Sequence, residues 1–176
     1  PKILAEMQAK YTELKKQYKV SSATIPTPRK EKWWQQRHAP LTKRTKAAVG
    51  KSEIVFIGDS ITQSWEGHGK EIWKQYYAPR HAVNLGMIGT NNTGHAMQPA
   101  QETADGIQYI INQVRAKSPE TQILLLGVFP RGATLKDPKR TRTTEINNII
   151  KTYTTQKNVH YQDLTPLFLD DKGNLP

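Results

Sequence analysis

The sequence predicts an α/β protein built on a doubly wound parallel sheet. Three observations carry this. The runs "EIVFIG" (residues 53–58) and "TQILLLGVFP" (residues 121–130) are continuous apolar stretches that stop at turn residues, as strands covered on both faces do. Segments with apolar residues at helical spacing lie between and after them. Their order is strand, helix, strand, helix, strand, which argues for crossover units and a parallel sheet. With 176 residues the chain is long enough for one domain with a sizeable core.

The elements follow in order. Residues 3–20 place Ile3, Leu4, Met7, Tyr11, Leu14 and Tyr18 near helical spacing, a moderately amphipathic helix. "SSATIPTPRKE" (residues 21–31) reads as a linker, because Pro26 and Pro28 break any regular element. "KWWQQRHAPLTKRTKAAV" (residues 32–49) reads as a helix interrupted near Pro40, with Trp33 and Trp34 packing at the domain edge or offering a sugar-stacking surface. After the first strand, "GKEIWKQYYAP" (residues 69–79) is a helix with Ile72, Trp73, Tyr76 and Tyr77 on one side. "HAVNLG" (residues 81–86) is a short strand. "ADGIQYIINQVRAKSP" (residues 104–119) is a helix with Ile107, Ile110, Ile111 and Val114 inward, ended by Pro119. "TRTTEINNIIKTYTTQ" (residues 141–156) is a helix with Thr143 or Thr144 as cap and Ile146, Ile149, Ile150 and Tyr153 inward. "NVHYQDLTPLF" (residues 158–168) supplies a last strand and a loop.

The formal net charge is +11, with the excess concentrated in the first 51 residues. Such a surface is attracted to anionic polymers, and it also keeps a protein soluble. The chain has no cysteine, which excludes disulfides and thiolate metal sites. No apolar run approaches the ~20 residues of a membrane span. No signal peptide is visible, and the sequence starts at Pro1, so a cytoplasmic protein and an exported one whose signal has been removed both stay open.

Ligands of doubly wound folds bind outside the carboxyl ends of the strands. Gly58, Asp59 and Ser60 fall at such an end. They read either as a tight turn into a helix capped by Asp59 or Ser60, or as a nucleophilic serine held at a strand end. "IGTNN" (residues 88–92) falls where another strand would end. An amide there can donate to the oxyanion that develops when a nucleophile attacks a carbonyl. The same fragment is also an ordinary turn composition.

Together these pieces resemble the SGNH or GDSL hydrolases. "FIGDSITQSWE" (residues 56–66) looks like the family's first block, "AVNLG" (residues 82–86) like the lead-in to the second, and "IGTNN" like the third. "ILLLGVFPRG" (residues 123–132) is similar to the following strand and loop in the branch that resembles the catalytic subunits of platelet-activating-factor acetylhydrolase. The resemblance implies a three-layer α/β/α sandwich, flavodoxin-like, with a five-stranded parallel sheet. It implies hydrolysis of a small, acetyl-like acyl ester through a serine-bound intermediate, with no cofactor and no metal. By position, Ser60 matches the nucleophile and its backbone N–H an oxyanion donor. Asn91 matches the side-chain donor. Gly58, Asp59 and Gly86 match supporting positions. The substrate would be an acyl ester of a sugar, a lipid or a similar alcohol.

Two departures stand out. "NLG" runs straight into "MIGTNN", where the family continues into a Gly-Gly pair. No D-x-x-H follows, since Asp163, Asp170 and Asp171 have no histidine three residues on. Parallel neighbours need a crossover of about a dozen residues, and none lies between Gly86 and Met87. The expected organisation is therefore a basic helical extension and linker over residues 1–31 and a hydrolase-like domain over residues 32–176, incomplete after Gly86 and at its carboxyl end. His38, His68, His81, His95 and His160 are the candidates for a general base. The alternative is an inactive relative that keeps the fold as a binding or scaffold protein, engaging an anionic polymer through its basic first fifty residues.

Overall fold

The computed structural model describes residues 21–25, 30–86 and 98–176, together with helical positions 3, 5–7, 9, 10 and 13. The chain divides into two units, Thr27–Ala96 and a second one made of Pro1–Pro26 with Met97–Pro176.

The first unit opens with α1, Lys32–Ala48. Pro40 lies inside this helix without ending it, although it removes one backbone donor. Leu41 is the buried contact of α1, and the helix packs against strand β2. The ring of Trp34 stacks on His38 with centroids 4.6 Å apart, whereas Trp33 is exposed. Next come β1, Val55–Gly58, and the one-turn helix α2, Ser60–Gln63, which tightens into a 3-10 turn at Ser64–Glu66. Helix α3, Lys70–Ile72, passes into a π turn at Trp73–Tyr77 and a 3-10 turn at Ala78–Arg80. Strand β2, Val83–Gly86, pairs parallel with β1 in the register Val55 with Val83 through Gly58 with Gly86.

One face of β1 carries the packing. Phe56 meets Trp65, Trp73 and Tyr77 at centroid distances of 6.4, 5.2 and 5.0 Å. Edge-on and tilted contacts of this kind suit the ring quadrupoles. Val55 and Ile57, which alternate to the other face, are 51% and 45% exposed. Among the described residues the apolar run of β1 is thus well covered on one face only, where its composition predicts cover on both. The π turn also changes the expected helix. Wider winding breaks the 3.6-residue period, so Trp73 and Tyr77 reach the aromatic cluster while Ile72 and Tyr76 are exposed.

The second unit holds α4, Ala100–Lys117, β3, Ile123–Leu126, α5, Pro138–Lys151, and β4, Val159–Gln162. Strands β3 and β4 pair parallel, Ile123 with Val159 through Leu126 with Gln162. The core forms where α4 and α5 pack. Ala104, Ile146 and Ile150 are fully buried, and Ile107, Leu125, Val128, Ile149, Tyr153 and Tyr161 close around them. Helix α5 starts earlier than Thr143. Asp137 caps it by accepting from the Lys139 N–H at 2.8 Å, and Pro138 takes the first turn, where its missing N–H costs nothing. Ser21 to Ile25, expected as linker, dock on α4 instead. The Ser22 hydroxyl donates to the Glu102 carboxylate at 3.0 Å, and Gly106 leaves room for Ala23.

Among the described residues the strands therefore form two separate two-stranded parallel sheets. The parallel pairing and the alternation of strands with helices are those of the α/β class predicted from the sequence.

Candidate active site

The turn at Ser60 is built by its neighbours in sequence. β1 ends at Gly58, and the chain passes through Asp59 in an extended conformation. Asp59 is 5% exposed, and its Oδ1 accepts from the Ile61 N–H at 2.8 Å. Asp59, not Ser60, is therefore the cap of α2. Ser60 takes the first helical position and is exposed. The Ser60 carbonyl accepts from the Ser64 hydroxyl at 3.1 Å, which ties the turn to the residues that follow.

Gly58 is required by geometry. A Cβ there would overlap Thr62 Oγ1 and stand 2.8 Å from Thr62 Cβ. The side chain of Thr62 thus closes over the strand end. Because Gly58 pairs with Gly86, both strands finish at the same level. Ser60 and Gly86 accordingly belong to one carboxyl edge of this parallel pair.

Four residues that the motif reading did not single out hold this arrangement, and Asn84 is the first. It is 3% exposed in the middle of β2, and its Nδ2 donates to the Thr62 carbonyl at 2.9 Å. Glu66, at the end of the first block, is gripped by Arg37 through two hydrogen bonds of 2.7 and 3.0 Å and by Arg44 at 2.6 Å. Arg44 also donates to the Asn84 carbonyl at 3.1 Å. Bidentate guanidinium pairing of this kind is directional as well as charged. The Arg37 hydrogen bond, with Arg44 adding to it, holds the Glu66 carboxyl below its usual range against the opposing effect of burial. The signal for Asn84 was present in "VNLG", since an amide inside an apolar strand needs partners when buried.

Asn91 and His95 lie outside the described residues, as does the step from Gly86 to Met87. Of the other histidines, His38 stacks on Trp34. His68 is exposed, and His81 takes a left-handed φ of 49°. His160 is exposed on β4, with Nε2 3.0 Å from Gln122 Oε1.

In the second unit, the loop after β3 (residues 129–132) is organised by α5. Asn147 accepts from the Val128 N–H at 2.7 Å and donates to its carbonyl at 3.0 Å. Arg140, 4% exposed, donates to the Gly132 carbonyl at 2.7 Å, the Gly173 carbonyl at 2.8 Å and the Arg131 carbonyl at 3.4 Å. Asp163 and Asp170 serve turns. Asp163 accepts from the Thr165 N–H at 2.8 Å, and Asp170 from those of Asn174 and Lys172 at 2.7 and 3.0 Å. The Asn174 backbone bond, chief among these, lowers the Asp170 carboxyl.

Comparison with known proteins places this architecture. A model of the GDSL-like lipase/acylhydrolase family matches residues 85–176, a stretch that begins after the Ser60 turn. The chain is 28% identical over 152 residues to the platelet-activating factor acetylhydrolase IB subunit alpha1 of Homo sapiens, covering 70% of this chain and 63% of the relative. It is 24% identical over 169 residues to the alpha2 subunit of Gallus gallus, covering 81% and 71%. The match to the human relative therefore spans less than two thirds of that protein's length. A solved structure from Streptococcus pneumonia, which carries a provisional platelet-activating-factor description, superposes with a TM-score of 0.59 at 20% identity over 81% of each chain. At that identity the likeness speaks to fold alone, and it agrees with the α/β sandwich class expected from the sequence.

Proposed function

The chain belongs to the GDSL-like lipase/acylhydrolase family, and from that premise we propose that it is a serine ester hydrolase acting on a small, acetyl-like acyl ester. Ser60 is the nucleophile. It attacks the ester carbonyl carbon, the alcohol leaves, and water then releases the acid from the acyl-serine intermediate. Asn91 and the Ser60 N–H donate to the oxyanion of each tetrahedral intermediate. Gly58 and Asp59 shape the turn, and Gly86 ends the neighbouring strand at the same edge.

The observation that carries the reading is the placement of Ser60. It is exposed on the first turn after a parallel strand, behind a glycine that admits no side chain and a buried capping aspartate. The relatives named as acetylhydrolase subunits support a short acyl group. The alcohol is an ester-linked sugar, lipid or similar group.

A second reading rests on charge. Lys32, Lys43 and Lys46 are exposed on α1 in a chain of net charge +11. This favours a fold kept as a binding module for an anionic polymer. Hydrolysis of p-nitrophenyl acetate by the protein and by Ser60→Ala separates the two. Loss of turnover in Ser60→Ala supports the esterase. Equal rates in the two proteins overturn it.

A further inference from the structure

We propose that Asn84 is the positioning residue of the Ser60 turn: its buried amide locks α2 to β2 and so sets where the Ser60 hydroxyl stands relative to the strand end at Gly86. The inference rests on the esterase reading and deepens it.

Helix α2 has four residues, Ser60–Gln63. So short a helix has no stability of its own. Within the turn, the Ser64 N–H is shared among the Ser60, Ile61 and Thr62 carbonyls. The Thr62 carbonyl accepts in addition from the Asn84 amide on the neighbouring strand, at 2.9 Å, and this bond ties the turn to β2. The same residue is fixed a second time by its side chain, which fills the space beside Gly58. Thr62 is therefore held by β1 through its side chain and by β2 through its carbonyl. Ser60 lies two residues away on the same turn, so its position follows from that double attachment.

Asn84 is itself held in place. Its backbone stands opposite Phe56 in the ladder, above the aromatic cluster. Its carbonyl accepts from Arg44, and Arg44 is anchored by Glu66, which Arg37 grips from the other side. The chain of contacts runs from α1 through Glu66 and Arg44 to Asn84, and from Asn84 to the serine turn. A buried amide with this many attachments does more than fill a strand. An apolar residue would pack as well in β2, but it would remove the hydrogen bond that ties the Thr62 carbonyl to that strand.

The test measures turnover of p-nitrophenyl acetate per active serine, with active serines counted by the burst on reaction with a fluorophosphonate. This normalisation removes any loss from unfolded protein. Asn84→Asp replaces the donor by an acceptor of the same shape. We expect kcat per titrated serine to fall by about tenfold with KM within about twofold, the pattern of a nucleophile moved off line. Asn84→Ser, which removes the amide without adding charge, carries the same test should Asn84→Asp not fold. Turnover lost in Ser60→Ala but kept in the Asn84 variants overturns the positioning role alone. Turnover that survives Ser60→Ala overturns the esterase reading, and this inference with it.

Discussion

The side chain of Thr62 occupies the space beside Gly58, so that a Cβ on Gly58 would overlap its Oγ1. The strand end and the Ser60 turn are thereby one packed unit. Gly58→Ala should destabilise the protein by about 1–3 kcal/mol, the usual cost of overpacking. Adding Thr62→Ala should recover part of that loss, because Thr62 Oγ1 goes while Thr62 Cβ stays 2.8 Å from the new atom. Chemical denaturation of the two single variants and the double variant checks this, and additive losses would show that the contact is not the cause.

Glu66 predicts an acid-sensitive window. Its carboxyl is held below the usual value by Arg37 first and Arg44 next. A group with a depressed folded pKa stabilises the fold above its unfolded value, about 4.3 for glutamate. That contribution is lost as pH falls through the folded value. The gap in thermal midpoint between the protein and Glu66→Gln should be constant near neutral pH and shrink below about pH 4. A gap that stays constant throughout would contradict the ion-pair account.

Much of this was legible in the sequence, for identifiable reasons. Both internal runs became strands, β1 ending at Gly58 and β3 at Leu126, just before Gly127. Parallel pairing, of β1 with β2 and of β3 with β4, followed from the helical segments that join each pair. What escaped was chemistry that pattern does not carry. The π turn at Trp73–Tyr77 breaks the helical period, so Ile72 and Tyr76 turned out exposed. Asp137 and Pro138 begin α5 well before the threonines that resembled a cap. Ser60 and Asp59 were readable from their motif, and the structure separates their duties into exposed hydroxyl and buried cap. Asn84, Glu66, Arg37 and Arg44 were not, because their partners lie 22 to 40 positions away in the chain.

Arg140 predicts a different loss. Its buried guanidinium satisfies the Gly132 and Gly173 carbonyls, 41 positions apart, with no carboxylate beside it among the contacts described. Arg140→Ala leaves those acceptors without a donor, at ~1–3 kcal/mol for each one that water does not reach. Arg140→Lys should recover little, because an ammonium lacks the planar fork that reaches two carbonyls at once. Urea denaturation would show both variants well below the unaltered protein. Full recovery by lysine would mean that charge alone matters there.

The central claim is that Ser60 is the nucleophile, and the most direct measurement is the site of covalent modification. The protein is treated with a fluorophosphonate, digested, and its peptides weighed by mass spectrometry. The account predicts a stoichiometric adduct on the peptide carrying Ser60, absent from Ser60→Ala. An adduct on another residue, or none at a concentration that saturates known serine esterases, would contradict it.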